Sequence, residues 1–448
     1  MSSGSLLIGD IVTLDPARPR AQALAIAGGR VLLAGTEAEA REVMPAGAPV
    51  QHVPGTVIPG LIDSHLHLQW AGLKLLRIAG ETTLAPAQAL AVLDSEPFSP
   101  PWLDAEPTRE QRLAGLRMIQ PLMHALGVTA IVDPAVVPAE MDAYTASRRR
   151  GELTMSVTAM PHPDMDAGAG SAIAALDAVG VRTGLGDDRL RLGGVKVYFD
   201  GVGKSGTALR REPWPGTDSR GWQRLPDGEF HKIAAWCARV GWSLGVHVVG
   251  GGGLDIVLDS FGRVDAETSI RDLGFTLIHA YLEPSPENMA TAARLGVLVA
   301  AQPSIHYCNG TGLVQALGPG AVASNPMRDW LDAGVTVGGG SDGQYFPIDP
   351  RLGLWQSRVR IVEGAAEPHA PEQALSAEQA LALYTTGAAA VALAADRRGR
   401  LAPGFLADWT VLPLDPLTAA PEAVREMWPL QTAVGGRIVH STQEGLNP

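Results

Sequence analysis

The stretch Val57-Ile58-Pro59-Gly60-Leu61-Ile62-Asp63-Ser64-His65-Leu66-His67-Leu68 begins as an apolar run and ends with two histidines that lie two residues apart. An apolar run of this kind is typical of a buried parallel strand. Residues i and i+2 of a strand share a face, so the pattern predicts that His65 and His67 point together at one ion. A single His-x-His pair also occurs on protein surfaces. The pair alone therefore does not establish a metal site, and residues elsewhere in the chain are needed.

The composition describes a compact, loop-rich enzyme of mixed helices and strands. The chain has 448 residues, of which 46% are hydrophobic and 18% are charged, with 52 Gly and 34 Pro. This length suits a large barrel with a smaller second domain. Two cysteines, Cys237 and Cys308, without a Cys-x-x-Cys motif exclude a disulfide framework and a structural zinc site of the finger type.

The net charge and the first residues of the chain indicate which binding partners and which cellular location to expect. The chain has 35 Lys and Arg against 47 Asp and Glu, a net charge of −12 that disfavours non-specific binding to nucleic acid or anionic lipid. Residues 1–5 lack the basic segment and apolar run of a secretory leader, and no stretch is long enough for a membrane span. We expect a cytoplasmic enzyme that acts on a small molecule and binds neither nucleic acid nor membrane; a homodimer is left open.

Short apolar strands and turns occur at both ends of the chain. Near the N-terminus, Gly28-Gly29 separates two such runs and reads as a hairpin turn, and Gly435-Gly436 does the same near the C-terminus. Neither end has a core of its own. We therefore predict one small composite β-sandwich domain, formed by residues 1–58 and 390–448 and interrupted by a barrel at 59–389.

Eight candidate core strands lie between the two ends, and helical patterns at 108–126, 230–240, 286–295 and 325–333 lie among them. Repeated β-then-α units favour an α/β protein built on a (β/α)₈ TIM barrel. Reacting groups in such barrels sit at the C-terminal ends of the strands. The candidate strands are 57–67, 128–132, 153–160, 192–199, 243–249, 275–280, 297–301 and 335–342.

Four histidines and one carboxylate fall on or just after these strands: His65, His67, His247, His279 and Asp342. In a barrel they would converge on one mouth. Neutral imidazoles with a carboxylate form a site for a borderline divalent cation, most naturally Zn²⁺. Taken singly, His247 fits a core histidine and Asp342 a turn residue, but their joint placement favours the metal site.

Lys196 lies inside the fourth apolar strand, where an ammonium group is costly to bury. The chain uses lysine at only four positions: 74, 196, 204 and 232. One interpretation is that the amine reacts with carbon dioxide to form a carbamate, an anion able to bridge two metal ions. The other is a lysine that snorkels out of the barrel or pairs with Asp200. The residues alone leave both open.

Together these motifs resemble the amidohydrolase superfamily of metal-dependent hydrolases. The C-terminal part is similar to its branch called amidohydrolase family 3, which includes N-substituted formamide deformylases. The resemblance covers nearly the whole chain, and it implies the barrel, the composite β domain and a hydrolytic metal centre. It rests on 59–67, 196–201, His247, His279, Gln302-Pro303 and 340–342, and in the tail on 375–381, 384–389, Gly399 and 403–408.

The resemblance also implies a role for each residue of the site. His65 and His67 would bind one metal ion, and His247 and His279 the second, with carboxylated Lys196 as the bridge. Asp342 would bind the first ion and transfer the proton. One zinc ion remains the alternative if Lys196 is not carboxylated.

The chain departs from the family pattern after the fifth-strand histidine, where relatives usually have Gly-Asp. Gly251 occupies the Asp position here, which predicts a looser turn and puts a substrate contact in doubt. Candidate residues for the substrate pocket come from loops that follow the strands. They are Trp70, Lys204, Arg210, Trp214, Tyr281 and His306, each of which also fits ordinary packing or a solvated loop.

The function predicted from the sequence is hydrolysis of a C–N bond in a small, neutral or apolar amide or formamide. A deaminase or cyclic-amide hydrolase on the same scaffold is the nearest alternative, because one metal centre serves either electrophile. A non-catalytic assembly module of this fold is the alternative from another class. Such a module is expected to have lost ligands that this chain retains.

Overall fold

The structure is a computed structural model, and it describes residues 4–95 and 105–443. This part of the chain has an α/β fold in which strands and helices alternate through the middle of the sequence. Its strands are β1 (Ser5–Val12), β2 (Arg20–Ala27), β3 (Arg30–Gly35), β4 (Val50–Pro59), β5 (Leu61–Asp63), β6 (Val128–Val136), β7 (Ser156–Pro161), β8 (Leu190–Leu192), β9 (Val195–Tyr198), β10 (Leu244–Val248), β11 (Thr276–His279), β12 (Leu298–Ala301), β13 (Val337–Gly339), β14 (Trp409–Leu412), β15 (Gln431–Val434) and β16 (Arg437–Ser441).

Side chains cap the N-termini of some of the described helices. Thr108 and Ser285, for example, accept hydrogen bonds from backbone N–H groups in the first turns of their helices. The helices are α1 (Glu37–Glu42), α2 (Leu68–Ala79), α3 (Pro86–Asp94), α4 (Arg109–Ala125), α5 (Pro138–Arg149), α6 (Ala169–Val179), α7 (Asp227–Val240), α8 (Gly251–Glu267), α9 (Pro286–Leu295), α10 (Pro303–Leu317), α11 (Met327–Asp332), α12 (Pro350–Val359), α13 (Ala377–Ala382), α14 (Ala388–Val391) and α15 (Pro421–Glu426).

The strands from both ends of the chain pair in one seven-stranded mixed sheet, in the order β16-β15-β14-β4-β1-β2-β3. Both predicted Gly-Gly hairpins are present, since β2 pairs antiparallel with β3 and β15 with β16. β4 lies between an N-terminal and a C-terminal strand, parallel to β1 and antiparallel to β14. The predicted pairing of the two ends is confirmed; the two-layer sandwich stays a prediction.

The middle of the chain forms two parallel sheets, β5-β6-β7-β8 and β9-β10-β11-β12-β13. Their strands read as continuous apolar runs because both faces are covered. The predicted strand at 192–199 divides at Gly193-Gly194 into β8, which pairs with β7, and β9, which pairs with β10. This run therefore leads from one sheet directly into the other.

The predicted first strand, 57–67, is wrong in its bounds. Residues up to Pro59 belong to β4 and the terminal sheet, and only β5 pairs with β6. The chain passes from the terminal sheet to the first parallel sheet at Gly60, where an added Cβ would lie 2.4 Å from the Thr129 side chain. His65 and His67 follow the strand in an irregular segment, and His67 is the residue immediately before α2. Their convergence is therefore a property of this segment and not of strand alternation.

A layer of aromatic rings holds the second parallel sheet against its helices. Phe199, Phe230, Phe261 and Phe275 are fully buried, with successive ring centroids 5.1, 5.8 and 5.1 Å apart. Burial of each ring contributes about 1.5–3 kcal/mol. This packing fixes α7 and α8 behind β9, β10 and β11, the strands that carry Lys196 and two of the predicted histidine ligands.

Candidate metal centre

Three donor side chains converge where β5 and β13 end. The Nε2 atom of His65 lies 3.3 Å from Oδ1 of Asp342, and Nε2 of His67 lies 3.7 Å from the same oxygen. One ligand atom from each of the three residues lies within 4.8 Å of the others, a spacing that suits one metal ion. Two imidazoles and a carboxylate are the donor types that zinc prefers.

Backbone hydrogen bonds join the two segments that carry these donors. The buried Asp63 carboxylate accepts the backbone N–H groups of His65 and Ser341, both at 3.0 Å. The backbone N–H of Asp342 donates to the carbonyl of His65 at 2.7 Å. Asp342 itself has a φ of 54°, an uncommon left-handed conformation that such cross-links stabilise.

His279 and His247 extend the row of imidazoles away from Asp342. The ring centroids of His65 and His279 are 5.1 Å apart, and those of His279 and His247 are 4.6 Å apart, both edge to face. All of these rings are buried. The structure therefore brings the four predicted histidines into one continuous cluster.

Hydrogen bonds to the outer nitrogens set the tautomers of the two distal rings. Nε2 of His247 lies 3.0 Å from the Gly201 carbonyl, which only accepts, so this nitrogen carries the proton. Nδ1 of His279 lies 2.8 Å from Oε1 of Gln302, whose amide nitrogen donates to the Ala300 carbonyl. The lone pairs of His247 and His279 are thus left on Nδ1 and Nε2 respectively, and such outer contacts orient metal-binding imidazoles.

Burial keeps the imidazoles neutral and lowers their affinity for protons. It lowers the pKa of His67 and of His247 to about 3, and it lowers the pKa of His65 and His279 well below the usual range. It raises the pKa of Asp342, an effect opposed by nearby His279, His67 and Lys196. Neutral imidazole is the form that binds metals.

Lys196 lies fully buried in β9 beside this cluster. Its Nζ atom has no hydrogen-bond partner among the described residues and lies 4.9 Å from the centroid of the Tyr198 ring. Burial lowers the pKa of Lys196 to about 7. The side chain neither reaches solvent nor pairs with Asp200, whose carboxylate accepts three backbone N–H groups from residues 209, 249 and 250. A buried amine without a hydrogen-bond partner fits the predicted carboxylation, which adds a group to this nitrogen.

A cavity of about 1130 Å³ opens onto the cluster, and the six predicted metal ligands all line it. Of the predicted substrate residues, Lys204 and Tyr281 also line this cavity. The hydroxyl of Tyr281 accepts the backbone N–H of Gly203 at 3.1 Å, so the ring anchors the loop that carries Lys204.

The other predicted substrate residues lie around the cavity and not among its lining residues. Trp70 stacks behind His67, with the ring centroids 4.8 Å apart. Nη2 of Arg210 donates to Oε1 of Glu283 at 2.6 Å, and Cζ of Arg210 lies 5.2 Å from the centroid of the Trp214 ring. His306 is buried beside His369, with the ring centroids 6.0 Å apart.

Gly251 does not loosen the turn after β10, contrary to the sequence-based prediction. It is the buried first residue of α8. An added Cβ would lie 2.5 Å from Nη1 of Arg211 and 2.6 Å from the carbonyl oxygen of Glu283. Arg211 fills this space and bonds to both carboxylate oxygens of Asp255 at 2.7 Å. The loop after β9 is thereby fastened to α8.

The residues that support the ligands were not predicted from the sequence. Asp63 and Gln302 lie in motifs that resemble the family, and each forms a hydrogen bond that holds a histidine of the cluster. A carboxylate at the end of an apolar strand, two residues before His65, was a usable signal for Asp63. Nothing in the sequence pattern indicated Arg224 or Gln344, both of which line the cavity.

Residues 87–440 match the family model described as the amidohydrolase family. The chain is 23% identical to the N-substituted formamide deformylase of Arthrobacter pascens, over 96% of this chain and 97% of that protein. It is 26% identical to a putative amidohydrolase of Bacillus subtilis over 56% of this chain, and this match spans 47% of the length of the Bacillus protein.

Solved structures share the fold. A metal-dependent hydrolase from Pyrococcus horikoshii matches with a TM-score of 0.76 and 22% identity, over 94% of this chain and 99% of that one. Atrazine chlorohydrolase from Arthrobacter aurescens, solved with zinc, matches with a TM-score of 0.65 and 18% identity, over 97% and 95% of the two chains. In the described residues no helix is both long and apolar enough to cross a membrane.

Proposed function

The chain belongs to the amidohydrolase family, in the branch called amidohydrolase family 3, and we propose that it hydrolyses an amide or formamide C–N bond of a small molecule. The convergence of His65, His67 and Asp342 at the wall of the cavity carries this proposal. The choice of bond is supported by the likeness to a formamide deformylase along nearly the whole chain.

The proposed scaffold is a closed (β/α)₈ barrel at 59–389 with a composite β-sandwich domain at 1–58 and 390–448. Two hydrogen bonds beyond the named strand pairs support closure. The backbone N–H of Gly193 donates to the Ala159 carbonyl at 2.8 Å, and that of Ser64 donates to the Gly339 carbonyl at 3.0 Å. The bond to Gly339 joins β5 of one parallel sheet to β13 of the other. The bond to Ala159 extends the β7-β8 pairing to Gly193, from where the chain continues through Gly194 into β9 of the second sheet. Closure would place all strand ends at one mouth.

The proposed cofactor is Zn²⁺, as one or two ions. His65, His67 and Asp342 would hold the first ion, and His247, His279 and a carboxylated Lys196 would complete a site for two. In the carboxylation step the neutral Lys196 amine forms an N–C bond to carbon dioxide and releases one proton. A pKa of about 7 supports this step, because much of the amine is then unprotonated at neutral pH.

Zinc supplies Lewis-acid chemistry at such a site by lowering the pKa of water and by polarising a carbonyl. Asp342 is the proposed proton carrier of the chain. Its Oδ1 atom faces both His65 and His67 and reaches the cavity, so it is placed to take a proton from attacking water and deliver it to the leaving nitrogen. Asp63 and the backbone of His65 hold it in place.

The proposal is tested by metal analysis of the purified protein together with a hydrolysis panel of N-formyl, N-acyl and cyclic amides. We expect one or two equivalents of divalent metal and turnover of at least one acyclic amide. Less than about half an equivalent of tightly held metal would instead favour the assembly module. Turnover restricted to cyclic amides, or ammonia release from an amino-substituted ring, would assign the alternative reaction.

A further inference from the structure

The loop between β9 and α7 carries five cationic side chains, and the structure separates them into two groups. Arg210 pairs with Glu283, and Arg211 with Asp255. These two pairs fasten the loop to its neighbours and their charges are neutralised. The other three are Lys204, Arg220 and Arg224, of which Lys204 and Arg224 line the cavity and Arg220 does not.

Arg224 lies close to the metal centre. Its Cζ atom is 5.7 Å from the centroid of the Tyr198 ring, and the same ring lies 5.3 Å from that of His247. The positive charge of Arg224 is one of the influences that lower the pKa of His247. One aromatic ring therefore separates the guanidinium from the proposed ligands, and both face the same cavity.

The Arg224 side chain is exposed, and its charge acts on the buried Asp200 carboxyl without forming an ion pair with it. Within residues 4–95 and 105–443 its side chain forms neither a hydrogen bond nor an ion pair, and its one ring contact is with Tyr198. Lys204 likewise has no ion-pair partner in this part of the chain. A guanidinium presents a planar set of donors that matches a carboxylate with two parallel hydrogen bonds.

We propose that Arg224, with Lys204, forms a subsite for a carboxylate of the substrate, so that the substrate is an N-formyl or N-acyl compound bearing an acid near the scissile bond. This inference rests on the proposed hydrolysis of an amide or formamide. A monoanion fits better than a dianion, because the acidic residues Asp94, Asp342, Asp349 and Glu363 also line the cavity and repel additional negative charge. This proposal differs from the neutral or apolar amide expected from the sequence, which stays a prediction.

The test compares N-formylphenylalanine with N-formylphenylalaninamide, which differs by replacement of the carboxylate with a neutral amide. In the zinc-loaded protein we expect the carboxylate to be preferred in kcat/KM. Arg224→Ala should reduce this preference by about 10- to 100-fold, the size of a charge-assisted pair of hydrogen bonds, with most of the loss in KM. Arg224→Lys should retain part of the preference.

Arg220→Ala is the matched control, because Arg220 belongs to the same loop but does not line the cavity. It should leave the preference unchanged. An equal loss in both alanine variants, or no loss in Arg224→Ala, would overturn the subsite.

If the wild-type protein hydrolyses neither compound, the proposed reaction fails for this class of substrate. Calorimetric binding of N-formylphenylalanine to the wild-type protein and the two alanine variants then tests the subsite. Binding weakened by Arg224→Ala alone supports it, and equal or absent binding overturns it.

Discussion

The indole of Trp70 is stacked on the imidazole of His67, with the ring centroids 4.8 Å apart and the planes 19° from parallel. The other edge of the indole is also held, since its Nε1 atom donates to Oε1 of Glu140 at 2.6 Å. Glu140 is buried and lies 3.5 Å from the buried guanidinium of Arg112. A proposed metal ligand is thus supported by a row of side chains that extends away from the cavity.

We expect Trp70→Ala to weaken zinc affinity by about 10- to 100-fold, because outer contacts of this kind orient the ligand ring. Trp70→Phe should retain most of the affinity, since the stack remains. Competition with a chelator measures the zinc affinity of both variants. Trp222→Ala is the control, because Trp222 is 59% exposed and does not line the cavity. Unchanged affinity in Trp70→Ala would contradict the supporting role.

Asp342→Asn should retain zinc and lose turnover by about 10²- to 10⁴-fold, because an amide of the same size has an oxygen donor but cannot carry the proton. Metal content and kcat, measured on the same preparation, check both statements. The exposed Asp332→Asn at the end of α11 controls for loss of a negative charge. Near-normal turnover would remove Asp342 from the proposed mechanism.

Lys196→Ala should lower the metal content to one ion or none, since the bridging anion is lost. Short carboxylic acids such as formate or acetate, added with zinc, should restore part of the metal and the activity by replacing the missing anion. Lys232→Ala changes an exposed lysine on α7 and should have no effect. Metal content equal to that of the wild-type protein in Lys196→Ala would show that the amine is not a ligand.

The buried His124 predicts a loss of stability in mild acid. Its Nδ1 atom bonds to the Val128 carbonyl at 3.0 Å, and burial lowers its pKa to about 4, against about 6.5 in an unfolded chain. The unfolded state therefore binds the proton more tightly. The stabilisation is complete above pH 6.5 and is lost as the pH falls towards 4, by at most about 3 kcal/mol.

Urea unfolding at pH 7 and pH 5 measures this loss. His124→Gln should be less stable at pH 7, by about 1–3 kcal/mol for the broken buried hydrogen bonds, and should show a smaller loss between the two pH values. The exposed His52→Gln should keep the wild-type dependence. An identical pH dependence in His124→Gln would assign the acid sensitivity to other groups.

Gly251→Ala should destabilise the protein by about 1–3 kcal/mol, because the added Cβ overlaps the Arg211 side chain and the Glu283 carbonyl. Gly228→Ala is a matched control in the first turn of α7, where an added Cβ meets nothing within 4 Å. That change should be neutral or stabilising, since Ala favours a helix over Gly. Equal midpoints of thermal unfolding in the two variants would show that Arg211 moves aside without cost.

The sequence located the residues of the site because each follows or interrupts an apolar run at the end that parallel strands share. His65, His67 and Asp342 are brought together as predicted. The division of the first strand at Gly60 was not predictable, because it depends on partners in β6 and β14 that are remote in sequence. The role of Trp70 depends on Glu140 for the same reason.

β4, the strand that leads into the histidine pair, has one neighbour from the start of the chain and one from near its end. During synthesis, β1 precedes β4, whereas β14 emerges from the ribosome only after all six proposed metal ligands. A nascent chain that has not reached Trp409 leaves one edge of β4 uncovered, next to the segment that holds His65 and His67. Assembly of the proposed metal centre therefore depends on β14, and truncations that end before Trp409 should yield chains that fail to retain metal.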